Sequence, residues 1–423
     1  MNISDTSMHE SLAAFLGKFV RLQQDDFAQL QSKLMVRQFP KKHIITREGD
    51  KEEHLYFIVK GLVHQYFMKG EEMITTDLVP EGTISGAVAS FLSGRPSHYY
   101  LETIEPVTAL SISRDDLTAL YASDTKWQRF GRILTTHFLL QLELHMLDSI
   151  RYSIRERLAH FAEEHPGLLK RVPQRRLASY LAIEPETFTR LKPLVPSKRK
   201  PVVSKQAAPI GDKALRSDSF THQKKINPAY LEYAFRYFQQ FMPLSKAEME
   251  ALLHYCEFRE FGKKAILVQE GEVDNYLNMV VKGLVIKYVK VKKGEVILQL
   301  ATEGHVIHSE LSYLCRNPSP VTVQTLEPTI LLSMRYDKME EALIKYPQGE
   351  MLGLKILEGM YIKKDERKYA WQAVDVRQRF LDYMERHPHM LQRVPQKYIA
   401  SYLNIKPETF SRLKHLTRSR QTY

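Results

Sequence analysis

Two short stretches of the sequence carry polar and basic side chains of the kinds that recognise nucleic acid. EPETFTRLK ends at Lys192, and KPETFSRLK ends at Lys414. Glutamate and hydroxyl side chains can hydrogen-bond to base edges, arginine can contact guanine at two atoms, and lysine can neutralise a phosphate. The candidate DNA-binding residues are therefore Glu186, Thr187, Thr189, Arg190 and Lys192, with Glu408, Thr409, Ser411, Arg412 and Lys414 in the second stretch.

Each stretch ends a pattern that predicts two short helices joined by a turn. In the first, residues 173–181 are predicted to form one helix and residues 182–184 the turn. Pro185 then opens the second helix, because proline is favoured in a first helical turn. Ile183 supplies the buried residue that such a turn requires. The pattern predicts a helix-turn-helix, and the alternative is a helical hairpin that only caps the domain before it.

Basic side chains surround both predicted helix pairs. They are Arg171, Arg175 and Arg176 around the first pair, and Arg393, Lys397, Arg418 and Arg420 around the second. A cluster of basic residues favours a polyanionic partner, so the sequence favours DNA binding over the capping role.

The chain repeats itself at a constant offset of 222 residues. EGDKEEHLYFIVKGLV from Glu48 is matched by EGEVDNYLNMVVKGLV from Glu270. RVPQRRLASYLAIEPETFTRLK from Arg171 is matched by RVPQKYIASYLNIKPETFSRLK from Arg393, with 16 of 22 residues identical. The sequence therefore predicts two copies of one unit, each of about 200 residues.

Within each copy the hydrophobic pattern changes from strands to helices. Short runs rich in β-branched and aromatic residues, bounded by glycine and proline, predict a sandwich or jelly roll. In the first copy these runs are residues 55–59, 62–67, 73–78, 99–104 and 109–112. Residues 127–150 then follow a helical pattern. The predicted fold class is α+β, with two tandem units that each contain a β-roll sensor, a long helix and a C-terminal helix-turn-helix.

The long helix of the first copy has the spacing of a short coiled-coil seam. Its seam positions are Phe130, Ile133, the polar His137, Leu140, Leu144 and Leu147, and the second-copy equivalents are Leu352, Lys355, Gly359, Ile362, Glu366 and Tyr369. The steps of three and four residues match a and d positions, although the second seam is poorer. We expect an intramolecular pseudo-dimer in which Leu140 faces Ile362. The alternative is that the first-copy residues pack on their own sensor domain.

A proline-, serine- and lysine-rich segment separates the two copies. From Leu194 to Asn227 it holds eight lysines and arginines against two aspartates, and it shows no helical or strand period. Such a segment is predicted to be a solvated tether, with phosphate binding as the alternative. The predicted boundaries are 1–125 for the first sensor, 126–192 for its helices, 193–227 for the linker, 228–347 for the second sensor and 348–423 for its helices.

The overall composition restricts the function class. The net charge of +12 favours double-stranded DNA or another polyanion as the partner. Two cysteines cannot form a disulfide framework and fit a reducing cytoplasm, and the polar N-terminus carries no signal peptide. No apolar run is long enough to predict a membrane span. No phosphate-binding glycine loop, zinc motif or nucleophile elbow is present, so we do not expect an enzyme.

The sequence resembles the Crp/Fnr family of bacterial transcription regulators. SFLSGRPS from Ser90 and ASYLAIEPETFTRLK from Ala178 are similar to the short-tailed branch found in Bacteroidetes. The resemblance covers nearly all of both copies and implies a cyclic-nucleotide-binding-type β-roll, a dimerisation helix and a recognition helix. It implies base contacts for Glu186 and Arg190, and for Glu408 and Arg412. It also implies RNA polymerase as a further partner.

The sequence departs from that family at the effector site. Members that bind cyclic nucleotides hold the ribose with a glutamate and the phosphate with an arginine from an Arg-Ser/Thr pair. The corresponding residues, which are the effector-pocket candidates, are Val88, Ser97 and His98 in the first copy and Glu310 and Ser319 in the second, where Pro320 completes the pair. A phosphate without its cation is poorly compensated, so cyclic nucleotides are expected to bind weakly or not at all. No cofactor is assigned, and the effector stays unknown.

Two further departures concern the ends of the copies and their association. Both copies end soon after the recognition helix without the family's β-wing, and two units share one chain. The predicted function is a DNA-binding transcription regulator with degenerate cyclic-nucleotide-type sensor domains, acting as a single-chain pseudo-dimer. The alternative is a ligand-sensing or scaffold protein of the same superfamily that does not bind DNA.

A metal site of the cupin type was also considered. Residues 304–310 offer His305, His308 and Glu310, but residues three apart on a strand point to opposite faces. The first copy has Thr83, Gly86 and Val88 at these positions. No metal is therefore predicted.

Overall fold

The first copy combines nine helices with two four-stranded antiparallel sheets in the part of the chain that the structure describes. The structure is a computed structural model that describes residues 5–194, 228–292, 294–346 and 348–418. Residues 195–227 of the predicted linker lie outside it. The helices are α1 (Asp5–Leu16), α2 (Gln24–Gln31), α3 (Val88–Ser93), α4 (Arg114–Ser123), α5 (Thr125–Arg151), α6 (Ile154–Glu164), α7 (Leu168–Arg171), α8 (Gln174–Tyr180) and α9 (Pro185–Leu191).

The strands of the first copy build a β-roll. They are β1 (Met35–Phe39), β2 (Ile44–Thr46), β3 (His54–Lys60), β4 (Val63–Lys69), β5 (Glu72–Val79), β6 (Ile84–Ser85), β7 (Tyr100–Thr103) and β8 (Val107–Ser113). One sheet has the order β1-β8-β3-β6 and the other β2-β7-β4-β5. The predicted strands of the sensor are confirmed to within two residues at their ends.

The second copy repeats the same elements. Its helices are α10 (Pro228–Gln239), α11 (Lys246–Leu253), α12 (Glu310–Cys315), α13 (Tyr336–Lys345), α14 (Gly349–Ala373), α15 (Val376–Arg386), α16 (Met390–Arg393), α17 (Gln396–Tyr402) and α18 (Pro407–Arg418). Its strands are β9 (Cys256–Phe261), β10 (Ile266–Val268), β11 (Tyr276–Lys282), β12 (Val285–Val291), β13 (Gly294–Ala301), β14 (Val306–Ile307), β15 (Thr322–Thr325) and β16 (Thr329–Arg335). The sheet orders β14-β11-β16-β9 and β10-β15-β12-β13 match those of the first copy.

The strand register also recurs at the sequence offset. Tyr56 of β3 lies opposite Ser111 of β8, and Asn278 of β11 lies opposite Ser333 of β16. These pairs are 222 residues apart in the two copies. The internal repeat seen in the sequence is therefore a repeat of the complete fold, as predicted.

One glycine of the repeated Lys-Gly-Leu-Val motif is required by the backbone. Gly61 has a φ of 99°, and a Cβ at this position would lie 2.3 Å from the carbonyl oxygen of Pro106. Gly283 has a φ of 108°, with Thr329 Oγ1 at 2.6 Å from the equivalent Cβ. A side chain fits neither the left-handed backbone nor the space, which explains why both copies keep glycine in this turn between two strands.

The chain divides into two compact units that do not follow the repeat boundary throughout. The first unit comprises Met1–Val202 together with Leu357–Tyr369, which is the middle of α14. The second unit comprises Val203–Ile356 and Ala370–Tyr423. A segment of the second long helix therefore belongs to the first compact unit.

The buried residues of α5 differ from the predicted seam. Of the six seam positions, only Phe130 and Leu147 are buried, and Leu144 is 41% exposed. The remaining buried positions of α5 are Trp127, Gly131, Leu134, Thr135, Leu139 and Glu143. A regular α-helix drifts relative to a strict seven-residue repeat, so its buried stripe changes position along 27 residues.

The short helices at the end of each copy share a hydrophobic core with their own β-roll. In the first copy, Leu62 and Ile104 of the roll cluster with Leu177 of α8 and Phe188 of α9. In the second copy, a cluster built in the same way joins β12 and β13 to α17 and α18. The helix pair is therefore packed into its unit.

Candidate functional site

Helices α8 and α9 form the predicted helix pair of the first copy. They are joined by residues 181–184, and Ile183 in this turn is 5% exposed, as predicted. Pro185 occupies the first turn of α9, and Phe188 is completely buried. The apolar side of α9 thus packs inward and directs its polar side outward.

The candidate residues of α9 and α18 have matching exposure in the two copies. Glu186, Thr189 and Arg190 are exposed, as are their equivalents Glu408, Ser411 and Arg412. Thr187, Lys192, Thr409 and Lys414 are half-buried. Three of the five candidates in each copy are therefore accessible to an external partner, and Lys192 lies just after the end of α9.

The two candidate arginines, Arg190 and Arg412, are exposed. Among the residues that the structure describes, Arg190 and Arg412 have no ion-pair partner, and the Thr189 hydroxyl donates only to the carbonyl of Pro185 (2.9 Å). An exposed guanidinium without a carboxylate keeps all its donors for an external acceptor. These two positions are chemically able to contact a base or a phosphate.

Arg171 does not belong to this outward surface. Its Nη2 lies 2.7 Å from Glu81 Oε1 and 2.6 Å from Glu105 Oε2, so it bridges two carboxylates of the β-roll. These hydrogen bonds raise the pKa of Arg171 further above its usual value. Arg176 likewise pairs with Glu102 at 3.3 Å. Two of the basic residues assigned to the DNA-binding surroundings instead hold the helices on the roll.

The second copy contains the same bridge. Arg393 Nη1 lies 2.9 Å from Glu303 Oε2, and its Nη2 lies 2.9 Å from Glu327 Oε2 and 3.0 Å from the carbonyl of Gly283. We call Arg171 with Glu81 and Glu105, and Arg393 with Glu303 and Glu327, the arginine bridges. The sequence analysis missed them, although all six residues are conserved at the offset of 222. The side chain of Arg418 and all of Arg420 lie outside the described residues.

A buried ion pair occupies the ribose position of the second pocket. Glu310 Oε2 lies 2.5 Å from Lys287 Nζ, and the two side chains are 3% and 1% exposed. Lys287 also donates to the carbonyl of His308 at 3.3 Å. Glu310 is one of the predicted effector-pocket residues, but the structure shows its carboxylate engaged by a lysine of the same roll.

A second carboxyl group lies beside this pair. Asp274 accepts hydrogen bonds from the backbone amides of Ser309 (2.7 Å) and Tyr276 (3.1 Å). Burial raises the pKa of Asp274 to about 6, Glu310 adds to the increase, and Lys287 opposes it. The charged side chains at the candidate effector position of the second copy are therefore paired or hydrogen-bonded within the domain.

The phosphate position of the second pocket is also satisfied by the protein. Ser319 is 2% exposed and donates to Ser309 Oγ (2.9 Å) or the carbonyl of Val321 (2.7 Å). Arg316, the nearest arginine in the turn, donates to the carbonyl of Asp274 and lies 4.3 Å over the ring of Tyr336. The guanidinium of Arg316 is therefore already engaged by residues of its own domain.

The first pocket has neutral residues at the same positions. Val88 stands where the second copy has Glu310, and Gln65 where it has Lys287. Ser97 is 4% exposed and accepts from the amide of Tyr99 at 3.0 Å. His98 is exposed and stacks on Tyr369 with 4.4 Å between ring centroids. Ser97 therefore contacts its own turn, His98 contacts a residue of the second long helix, and Val88 lines a cavity.

Comparison with known proteins identifies the two β-rolls. The family described as Cyclic nucleotide-binding domain matches residues 36–124 and 258–346. The chain carries two cyclic nucleotide-binding domains in tandem. No curated protein matches the sequence. None of the described helices is long and apolar enough to span a membrane.

Solved structures with similar folds come from two kinds of protein. The regulatory domain of Toxoplasma gondii PKA with cAMP is 11% identical, covers 83% of this chain and 96% of its own, and has a TM-score of 0.25. A PKA regulatory subunit of Trypanosoma cruzi bound to guanosine is 14% identical, with coverage of 86% and 93% and a TM-score of 0.26. The catabolite activator protein of Thermus thermophilus is 19% identical, with coverage of 43% and 87% and a TM-score of 0.28.

Neither cyclic nucleotide-binding domain is expected to bind cyclic AMP or cyclic GMP at micromolar concentration. Ser97 and Ser319 make backbone contacts where a phosphate would need a cation, and the loss of a charge-assisted contact costs about 1.5–3 kcal/mol. This corresponds to an affinity lower by about ten- to a hundredfold. Isothermal titration calorimetry on the whole chain measures it, and micromolar binding to either domain would contradict the assignment.

Proposed function

We propose that the chain is a DNA-binding transcription regulator whose two cyclic nucleotide-binding domains are degenerate sensors. In this proposal the helix pairs α8–α9 and α17–α18 are helix-turn-helix motifs, and α9 and α18 are the recognition helices. Double-stranded DNA is the partner. Contact with RNA polymerase, which the family resemblance implies, belongs to the same proposal.

One observation carries the proposal. The two copies have diverged at the effector positions, yet α9 and α18 expose the same kinds of side chain at the same places. Arg190 and Arg412 lack an ion-pair partner among the described residues, whereas the neighbouring Arg171 and Arg393 are fully engaged. Retention of an unpaired arginine in both copies is expected for a residue that contacts an external acceptor.

A second candidate function rests on the packing of the helix pairs. Each pair shares a hydrophobic core with its own β-roll and is fixed by an arginine bridge. Such a rigid unit suits a ligand sensor or scaffold that does not bind DNA. The two candidates differ in a simple way, because only the regulator protects a discrete DNA site.

We also propose that one chain forms the complete pseudo-dimer. Residues Leu357–Tyr369 of the second copy belong to the first compact unit, which supports an arrangement within one chain. Light scattering is then expected to give the mass of one chain, 49.3 kDa. The contact between Leu140 and Ile362 stays a prediction.

DNA binding is tested by footprinting a site selected from random sequence. Two recognition helices in a pseudo-twofold arrangement read half-sites about 34 Å apart, so one chain should protect an imperfect palindrome of roughly 20 base pairs. Replacing Arg190 or Arg412 by alanine should cost about 1–3 kcal/mol and relax specificity only in its own half-site. Replacing Lys192 or Lys414 should weaken binding to all DNA sequences alike and reduce the salt dependence of the affinity.

The matched control removes the same charge from the β-rolls. Arg47 and Lys263 are exposed loop residues, and their double replacement by alanine should leave the footprint unchanged. Absence of a discrete footprint, or equal binding by the Arg190→Ala/Arg412→Ala variant, would favour the sensor or scaffold that does not bind DNA.

A further inference from the structure

A cavity of about 750 Å³ lies within the first compact unit. It is bounded by strands β4 and β5, by helices α5 and α6, and by the segment Leu357–Tyr369. Val88 and Gln65 line it, at positions where the second copy has charged residues. The volume is sufficient for a small organic molecule.

The polar lining of this cavity is strongly acidic. Five carboxyl groups face it, against a single lysine, Lys368, and three histidines. The carboxyl groups belong to Asp77, Asp148, Glu163, Glu164 and Asp365. Burial lowers the pKa of the lining residue His145 to about 3, so that this imidazole stays neutral. An anionic ligand such as a cyclic nucleotide would meet an excess of negative charge.

Asp365 is the most enclosed of the five carboxyl groups. It is 4% exposed, its Oδ1 accepts a hydrogen bond from the hydroxyl of Tyr99 at 3.3 Å, and its Oδ2 is buried without a hydrogen-bond partner among the described residues. A buried acceptor of this kind is normally satisfied, so the vacant oxygen indicates a donor that comes from outside the protein.

The cation nearest to these carboxylates does not neutralise them. Lys368 donates to the carbonyl of Thr76 at 3.2 Å and forms no ion pair with Asp77 or Asp365 in the described part of the chain. Burial raises the pKa of Asp365 to about 6, although Lys368 opposes the shift, whereas Asp77 is exposed. The fold thus places carboxyl groups together without supplying enough positive charge for them.

The second copy shows that the β-roll does not require this acidity. At the offset of 222, Asp77 corresponds to Gln299, Asp148 to Ala370 and Glu164 to Arg386. The backbone elements that carry these residues are the same in both copies. The acidic lining is therefore a property of the first cavity and not a requirement of the fold.

The remaining lining favours an organic cation over a metal ion. Aromatic rings of Phe138, Tyr152, Tyr180 and Tyr361 face the cavity, and such rings attract ammonium groups. No group of three or more histidine, cysteine or carboxylate side chains among the described residues is arranged to hold a metal ion. Carboxylates also lie on two sides, with Asp77 and Asp365 near one another and Asp148 close enough to Glu164 to feel its charge.

We propose that this cavity binds a small aliphatic di- or polyamine. One ammonium group donates to the vacant oxygen of Asp365 and lies near Asp77, and the other lies near Asp148 and Glu164. The aromatic rings contact the methylene chain. The proposal does not depend on DNA binding, because it concerns only the ligand of the first domain.

Isothermal titration calorimetry of the whole chain with putrescine and spermidine tests the proposal. We expect saturable binding at one site per chain, and no binding of glutarate, which has the opposite charge. Asp365→Asn and Asp77→Gln, the latter matching Gln299, should each weaken binding about tenfold or more. Glu71→Gln, which removes an exposed carboxylate in a turn outside the cavity, should leave the affinity unchanged.

A stability measurement separates loss of the ligand from loss of the fold. Because the pKa of Asp365 is raised in the folded protein, its ionised form is disfavoured there, and Asp365→Asn should melt at a temperature no lower than wild type at pH 8. The proposal is overturned if neither amine binds saturably. It is equally overturned if a folded Asp365→Asn/Asp77→Gln variant binds them as tightly as wild type.

Discussion

Replacing Lys287 by glutamine should destabilise the protein by about 3–5 kcal/mol, because Glu310 would remain buried without its cation. The pair is 2.5 Å apart and almost completely enclosed, so water cannot compensate for the lost partner. Glu310→Val should be destabilising for the same reason, since it leaves Lys287 buried and uncompensated. Chemical denaturation monitored by circular dichroism measures both losses.

The first copy supplies the control for this pair. Its equivalent residues are Gln65 and Val88, so the double variant Lys287→Gln/Glu310→Val copies a combination that the same fold already accepts. We expect it to lie within about 1 kcal/mol of wild type, which gives a large coupling energy in a double-mutant cycle. Additive losses in the double variant would show that the two side chains do not act as a pair.

The single variant Lys287→Gln should also change the pH dependence of the free energy of unfolding. Asp274 has a pKa raised to about 6, so the folded state binds a proton more readily than the unfolded state, and stability rises as the pH falls through 6 towards 4. Lys287 opposes this shift. Its removal should therefore make the loss in Lys287→Gln greater at pH 8 than at pH 5, with wild type measured alongside.

Replacing Arg171 by glutamine should cost about 1–3 kcal/mol and loosen α8 and α9 from the β-roll. The side chain bridges Glu81 and Glu105, and charge-assisted hydrogen bonds of this kind are about twice as strong as neutral ones. The value stays in the lower range because all three side chains are about one third exposed. Hydrogen exchange of the amides in α8 reports the loosening directly.

Arg175→Gln is the matched control for the bridge. Arg175 lies in α8, close in sequence to Arg171 at the end of α7, is exposed and forms no ion pair with a described residue, so its loss should change stability by less than about 0.5 kcal/mol. Arg393→Gln should reproduce the effect of Arg171→Gln in the second copy. If the α8 amides exchange equally fast in Arg171→Gln and Arg175→Gln, the bridge does not hold the helices on the roll.

The duplicated architecture could be predicted because its signals are local or periodic. The offset of 222, the glycine-bounded strands and the proline-led helix pair are all visible in the sequence, and the structure reproduces each of them. Gly61 and Gly283 illustrate this, because a turn with positive φ requires glycine, and glycine can be recognised from the sequence alone.

The arginine bridges and the Lys287–Glu310 pair could not be predicted, because they join residues that are far apart in the sequence. Arg171 and Glu81 are 90 positions apart, so Arg171 was assigned to a DNA-binding surface although it pairs with the roll. Lys287 gave no sign that it would reach Glu310. Comparison of the two copies would have helped, because Gln65 with Val88 and Lys287 with Glu310 change together.

The segment Leu357–Tyr369 has an evolutionary consequence. In a homodimer, a residue with which one subunit completes a cavity of the other is necessarily present in both subunits, because they have the same sequence. Here Tyr361, Asp365 and Lys368 complete the first cavity, whereas the first repeat has Leu139, Glu143 and Met146 at the corresponding positions. Because both repeats belong to one chain, each can change without altering the other, so a residue that completes the first cavity need not be kept in the first repeat.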